Sequence, residues 1–584
     1  MILAVLFLLI SSLLASGILF KHQRWLSYLA AAGVLFEGEW LLLTLVDRLS
    51  VTASSSRIVF FIGSCVLLLA AGLFYRRWTL PVFSFRREVP VLIVLALVLA
   101  AAVLIANFNG YQNGDWVTHG FYNGDTATFI SLVQRSLLTD ELVRTNPFAG
   151  GGELEYPTLV HAGVATALTA FEWEEDWLRL LPVFTFAQIA LTVPLLFLLW
   201  DLSVRTSKER WLGLVQVGLP LYVLALAWDN YVYPQSHFFL TALFLLLICL
   251  LQRAFAERHF AEYIWVVPAG LVTLVLLLSN AVTGTAAVAA TCVFYFLRAA
   301  DKSRPIWQRA DYLLGVLMWL ALFLFFTPGE AAWGLPQFSY TAAGAMLRLS
   351  PVVLALLAAF VLNLEGQRYL EITGVALMLL AVFTFFGSTR DIVVENAERF
   401  FYYAVLVAWP ALVNPLIQLA YYLRRRLLFT TLSLGQTVAG WGGLVVFLLL
   451  FLLPAGASVA SAHDNLMFQD EQRVSAAELE ALQWLNDAAS AEAVILAAPT
   501  PPFAVPMFTG RALLRTEYWL SPGDAVQAQV SAAWTSDRAA QQEVLPRADY
   551  VVLDYGWESA WQLDSYERVF DNKGSVIYRN RKRD

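Results

Sequence analysis

Two Asn-Gly-Asp triplets, Asn113-Gly114-Asp115 and Asn123-Gly124-Asp125, supply the first residues with chemical promise. Asp125 stands just before Thr126–Leu138, an amphipathic stretch with Ile130, Val133 and Leu137 on one face and Ser131, Gln134 and Arg135 on the other. A carboxylate at such a helix start can act as general base on a hydroxyl. Asp is also a preferred N-cap, and the two roles are compatible. Asp115 follows the turn signal Asn-Gly, so it is a turn residue or a second carboxylate of the same site. Glu153 and Glu155 flank a Gly-rich run and read as solvated. Tyr156-Pro157 opens a further helix, with Pro in its first turn. His161 lies one turn on, among apolar residues, and suits a satisfied interfacial histidine as well as a substrate contact. Trp228-Asp229-Asn230-Tyr231 places Asp229 in an aromatic belt that alone accounts for it. Arg399, in Glu398-Arg399-Phe400-Phe401, abuts hydrocarbon, where an unpaired charge costs a few kcal/mol. Its partner is Glu395 one turn earlier, or a phosphate, which suits the rigid guanidinium fork. Arg348 is placed to serve similarly.

These residues must be positioned by a membrane. The chain has 584 residues, 59% of them hydrophobic and 14% charged. Its mean hydropathy is +0.63. Soluble domains carry about 25% charged residues. Apolar runs long enough to cross roughly 30 Å of hydrocarbon recur along the sequence. Met1–Phe20 is one, and it lacks the basic start and cleavage site of a signal peptide, so it reads as a retained helix. Cys65, Cys249 and Cys292 all lie inside apolar runs, which leaves no disulfide framework or zinc spacing. There is no basic, aromatic-interleaved patch of the kind nucleic acid requires.

Lys and Arg concentrate on cytoplasmic loops. That rule puts Lys21 and Arg24, Arg76 to Arg87, Arg205 to Arg210, Arg253 to Arg258, Arg298 to Arg309, and Arg424 to Arg426 inside. The intervening loops fall outside: Asp47–Arg57, Asn107–Arg179, Trp228–His237, Thr327–Arg348 and Gly387–Phe400. The alternation closes only if Thr158–Phe171 lies at the outer surface without crossing. Ser279–Thr285 divides the apolar stretch Ile264–Leu297 into two spans by a tight turn. The sum is about 14 spans with both termini outside. Glu37 and Glu39, in the second span, are the clearest charges within hydrocarbon.

Residues 1–88 read as accessory transmembrane helices, 89–454 as a core with the large outer loop 107–179, and 455–584 as a small extracytoplasmic α/β domain. In the last of these, Ser475–Ala488 is an amphipathic helix with a Ser475/Glu478 capping box. Ala493–Ala497, Ala512–Thr516, Tyr550–Tyr555, Tyr566–Phe570 and Ser575–Arg579 are strand-like, with a hairpin turn at Asp571 to Gly574. A binding or structural role fits this domain better than catalysis.

This layout resembles the GT-C superfamily of membrane glycosyltransferases, which includes the protein O-mannosyltransferase and aminoarabinose transferase groups. Asn123-Gly124-Asp125 matches the acidic residue near the start of that superfamily's first large outer loop. Tyr156-Pro157 with His161 resembles its Pro-led helix, and Glu398-Arg399-Phe400 a late outer motif. The tail, with Tyr550-Val551-Val552-Leu553 and Val576-Ile577-Tyr578-Arg579, looks like the terminal domains of some members. The resemblance implies a polytopic α-helical fold in a prokaryotic plasma membrane. It implies a polyprenyl-phosphate-linked sugar as donor and a glycan, lipid or protein as acceptor, in cell-envelope assembly. Asp125 or Asp115 would be the base. Tyr156, His161, Asp229, Arg348 and Arg399 would meet substrate. A divalent metal ion would assist, although no ligand cluster stands out. Two other classes compete: a transporter or flippase of lipid-linked saccharides, which would favour internal repeats, and a non-catalytic scaffold for envelope assembly.

Overall fold

The structure is a computed structural model that describes residues 2–20, 25–49, 109–118, 123–154, 156–174, 177–203, 236–257, 262–326, 368–387, 399–410, 472–497, 504–515, 525–554, 557–572 and 574–582. Apolar helices dominate the first two thirds. They are α1 (Ile2–Leu19), α2 (Trp25–Leu49), α3 (Asn123–Thr139), α4 (Leu159–Phe171), α5 (Trp177–Ser203), α6 (Ser236–Ala256), α7 (Tyr263–Ser279), α8 (Ala281–Ala300), α9 (Ile306–Phe326) and α10 (Arg368–Gly387), then α11 (399–410). Among the described residues, five helices are long and apolar enough to cross a membrane: Ser27–Arg48, Phe186–Ser203, Phe239–Ala256, Ala281–Ala300 and Ile306–Phe326. Shorter apolar helices accompany them, including Tyr263–Ser279 and Tyr369–Thr384. The spans expected within 51–108, 204–235, 327–367 and 411–454 lie outside the described residues, as do Asp229 and Arg348.

The tight turn expected in the long apolar stretch falls at Asn280. Its extended backbone separates α7 from α8, and its side chain caps α8 by accepting from the Thr283 N–H. Only glycine fits at position 284, because a Cβ there would stand 2.5 Å from the Leu277 Cα. At the other end of this hairpin the basic loops gather. Arg298 donates to the carbonyls of Ala254 (2.7 Å) and Glu257 (3.0 Å). Arg304 grips the buried Glu262 at 2.5 and 2.8 Å, and Tyr312 donates to the same carboxylate. Of the loops grouped by their Lys and Arg content, the two within the described residues, around Arg253 and Arg298 to Arg309, therefore meet at one end of this hairpin. The buried Glu262 is tolerated there because it meets both Arg298 and Arg304.

α4, with 13 residues, spans only about 20 Å, too little to cross hydrocarbon. The expectation that it does not cross agrees with this length. The helix is packed on both sides by protein. Leu159, Val160, His161, Ala162, Gly163, Ala165 and Leu168 are buried. Trp40 of α2 donates to the Gly163 carbonyl at 2.9 Å. The accessory helices supply the cover: Arg48, at the end of α2, reaches Asp140 (2.5 Å) and Thr166 (3.2 Å).

The C-terminal part is built on β4 (Val494–Leu496), β5 (Ala512–Leu513), β6 (Tyr550–Asp554), β7 (Tyr566–Asp571) and β8 (Ser575–Asn580), ordered β5-β4-β6-β8-β7. β4 pairs in parallel with β5 and β6, and the β6-β8-β7 ladder is antiparallel. Alternate strand residues enter opposite cores. Ile495, Tyr550 and Ile577 join the cluster that continues into the helical bundle. Leu496, Val551 and Leu553 join a second one. With both faces covered, the strands read as nearly continuous apolar runs. One face carries α12 (Ala476–Ala488) and α13 (Ala504–Thr509). The other carries α14 (Ala525–Trp534) and α15 (Arg538–Val544).

Candidate functional site

α3 owes its position to the terminal domain. Ser131 and Arg135 of its polar face, and Ser136 beside them, are buried. Arg135 donates to the carbonyls of Ala491 (2.5 Å) and Gly510 (3.4 Å), to Thr145 Oγ1 (3.0 Å) and to Glu492 (3.3 Å). Gly510, at φ +67°, brings its Cα so close that a Cβ would stand 2.7 Å from the Gln134 carbonyl oxygen. The outer loop and the terminal domain also share a sheet. β1 (Asn109–Gln112) and β2 (Asp115–Thr118) form a hairpin, and β3 (Gln472–Val474) pairs with β2. Trp116, 1% exposed, packs edge-on against Phe508.

Asp115 belongs to this junction. Its carboxylate accepts from the Ala476 N–H (2.9 Å), the first turn of α12, and from Arg473 (3.1 Å). A carboxylate so placed complements the helix N-terminus. Asp115 thus ties the hairpin to the start of α12.

Tyr156 and His161 belong to a connected series that lies between the helix starts of Asp125 and Arg399. Asp125 lies in the first turn of α3, and Phe129 follows one turn later on the same face. The Phe129 ring stacks on Phe239 at 4.7 Å and meets His161 at 5.1 Å. His161 lies 6.1 Å from the Tyr156 ring. Asn280 Nδ2 donates to the Tyr156 hydroxyl at 2.9 Å. The Asn280 amide is therefore oriented with Oδ1 toward Thr283, accepting from its N–H (3.0 Å) and hydroxyl (3.2 Å). Thr283 has one hydroxyl proton. Spent on Asn280, it leaves Thr283 to accept from Tyr403 at 2.7 Å. Arg399 stands one turn before Tyr403 on α11.

The series thus runs between two helix starts, one bearing Asp125 and the other Arg399. Sequence reasoning named its two ends together with Tyr156 and His161, and missed Asn280, Thr283 and Tyr403. The turn signal Ser279–Thr285 was the available clue, since a cap exposes its other amide atom to the same space. Burial drives the His161 pKa down to about 3, against a weaker upward pull from the Thr158 backbone. His161 is thus a neutral spacer between aromatic rings rather than a proton acceptor. Glu395, the alternative partner for Arg399, lies outside the described residues. Among the described residues, no group of three or more His, Cys, Asp or Glu side chains is arranged to hold a metal ion.

No protein-family model matches this chain, and no curated protein matches it. Among solved structures it is similar to the crystal structure of the Archaeoglobus fulgidus oligosaccharyltransferase in its apo form. That likeness has a TM-score of 0.52 at 11% identity, over 85% of this chain and 75% of the other. At this identity the comparison shows the fold alone: a helical membrane protein with the overall architecture of that structure.

Proposed function

We propose that this protein is a membrane glycosyltransferase that moves a sugar from a polyprenyl-phosphate donor to an extracytoplasmic acceptor in cell-envelope glycan or glycoprotein assembly. The observation that carries the reading is the hydrogen-bonded run Tyr156–Asn280–Thr283–Tyr403, extended by ring contacts through His161 to Phe129, which lies between the helix starts bearing Asp125 and Arg399. Its two ends have the chemistry that transfer needs. Asp125 takes the proton of an acceptor hydroxyl as that oxygen attacks the anomeric carbon. The bond from that carbon to the phosphate oxygen breaks, and the phosphate leaves with the electron pair. Arg399, with Arg348, steadies the charge that develops on it. Tyr156 and His161, which stand between those ends, are the residues that would meet substrate. The phosphate is a good leaving group and needs no strong acid.

The test is transfer from polyprenyl-phosphate sugars by purified protein in lipid. Asp125→Asn should lower turnover roughly 10²- to 10⁴-fold, the range for removing a positioned base, with donor binding intact. Equal turnover in both forms would overturn the assignment of the base. Donor binding with no turnover in either form would replace the enzyme with a carrier of lipid-linked saccharides.

A further inference from the structure

We infer that the terminal domain carries a saccharide-binding platform made of Trp534, Trp557 and Trp561, rimmed by Gln542, Gln562 and Glu558. The choice of a saccharide as occupant rests on the proposed transferase reading. The platform lies on the sheet face opposite α12, away from the junction with the outer loop. Trp534 closes α14, while Trp557 and Trp561 bracket the 3₁₀ turn Glu558–Ala560. The Trp534 and Trp561 rings meet at 4.9 Å and 70°, and Trp534 and Trp557 at 6.2 Å and 55°.

These indoles are not all used by the core. Trp561 is buried at 7% exposure and forms the floor, whereas Trp557 is 48% exposed. Core packing explains the first and leaves the second unexplained. The platform is also pre-formed. Gln541, fully buried, donates to the carbonyls of Ala533 (3.2 Å) and Ala560 (3.0 Å) and accepts from the Gln562 N–H (3.4 Å). It thereby ties the end of α14 to the turn that holds Trp557. Rigid aromatic area costs little ordering entropy on binding.

A pyranose ring presents an apolar C–H face ringed by hydroxyls. The exposed indole suits that face, and the rim suits the hydroxyls. Gln542 Nε2 reaches Gln562 Oε1 only at 3.4 Å, a long bond that ligand hydroxyls would replace with shorter ones. Glu558 offers a carboxylate, held 3.7 Å from Arg568. A polyanion fits poorly, since Arg568 is already committed to Asp571 and Glu558.

The experiment titrates full-length protein in nanodiscs with cellohexaose, mannohexaose and chitohexaose by calorimetry. At least one should bind, with Trp557→Ala and Trp534→Ala each weakening it by about tenfold or more. Trp557→Phe should retain most of the affinity. Asp125→Asn should leave it unchanged, so the platform and the transfer site fail separately. Absence of binding across the panel overturns the proposal. Binding indifferent to Trp557→Ala overturns it as well. So does a Trp557-dependent affinity for empty phosphatidylglycerol vesicles without sugar binding, which would make the indoles a membrane anchor.

Discussion

Burial fixes the chemistry of His161. An unfolded chain protonates this imidazole near its ordinary value of 6.5, whereas the folded chain holds the pKa near 3. Between those values the unfolded state binds a proton that the native state refuses, so stability falls as pH drops from about 6.5 toward 3. For one such group the limiting slope is about 1.4 kcal/mol per pH unit. His161→Phe keeps an aromatic ring beside Phe129 and Tyr156 and removes the titration. Thermal melts at pH 7.5 and 4.5 should therefore show a smaller acid loss in the variant than in the wild type. An equal loss would mean that His161 is not held neutral. The sequence made the interfacial histidine legible, because its neighbours are apolar. It did not reveal Asn280 as a hub, since Asn in a turn signal is ordinary, and only the approach of Tyr156 from 124 positions away gives it a second task.

At the scale of elements, what was legible was local. The Ser475/Glu478 cap, with Ser475 Oγ accepting at 3.2 Å from the Glu478 N–H, and each of β4 to β8 were readable from short-range pattern. The seat of α3 was not. Arg135 bonds to residues 356 and 375 positions away, and no periodicity in 126–138 marks a polar face as buried. This contact has a measurable worth. Arg135→Met leaves the Ala491 and Gly510 carbonyls without their donor and should cost about 3 kcal/mol. Arg135→Lys should not restore it, because one ammonium cannot reproduce the guanidinium fork. Gly510→Ala strains a left-handed residue against the α3 backbone and should cost upward of about 1 kcal/mol. Both changes break one contact, so the double variant should lose less than the sum of the singles. Chemical denaturation in detergent measures all of these, and strict additivity would sever the link between the two residues.

For the whole molecule, membrane character was legible from hydropathy, because that signal accumulates along the chain. The union of outer loop and terminal domain was hidden. Asp115 and Arg473 meet across 358 positions, and a two-strand hairpin gives no sign of the third strand it will accept. One contiguous cluster runs from the bundle through Phe129 and Trp116 to Val474 and Leu485. A terminal domain joined this way does not swing as a tethered module, and the strand β3 that enters it is part of the outer loop's own sheet. Hydrogen exchange should then show amides of α3 and α12 protected to a similar degree and released together. Trp116→Ala removes the ring that packs on both Tyr111 and Phe508. Truncating a buried indole costs about 3–5 kcal/mol, so exchange should accelerate in α3, β2 and α12 alike, with the distant hairpin of α7 and α8 unaffected. Acceleration confined to β2 would mean the two parts open independently, and α3 would then need another source of its position.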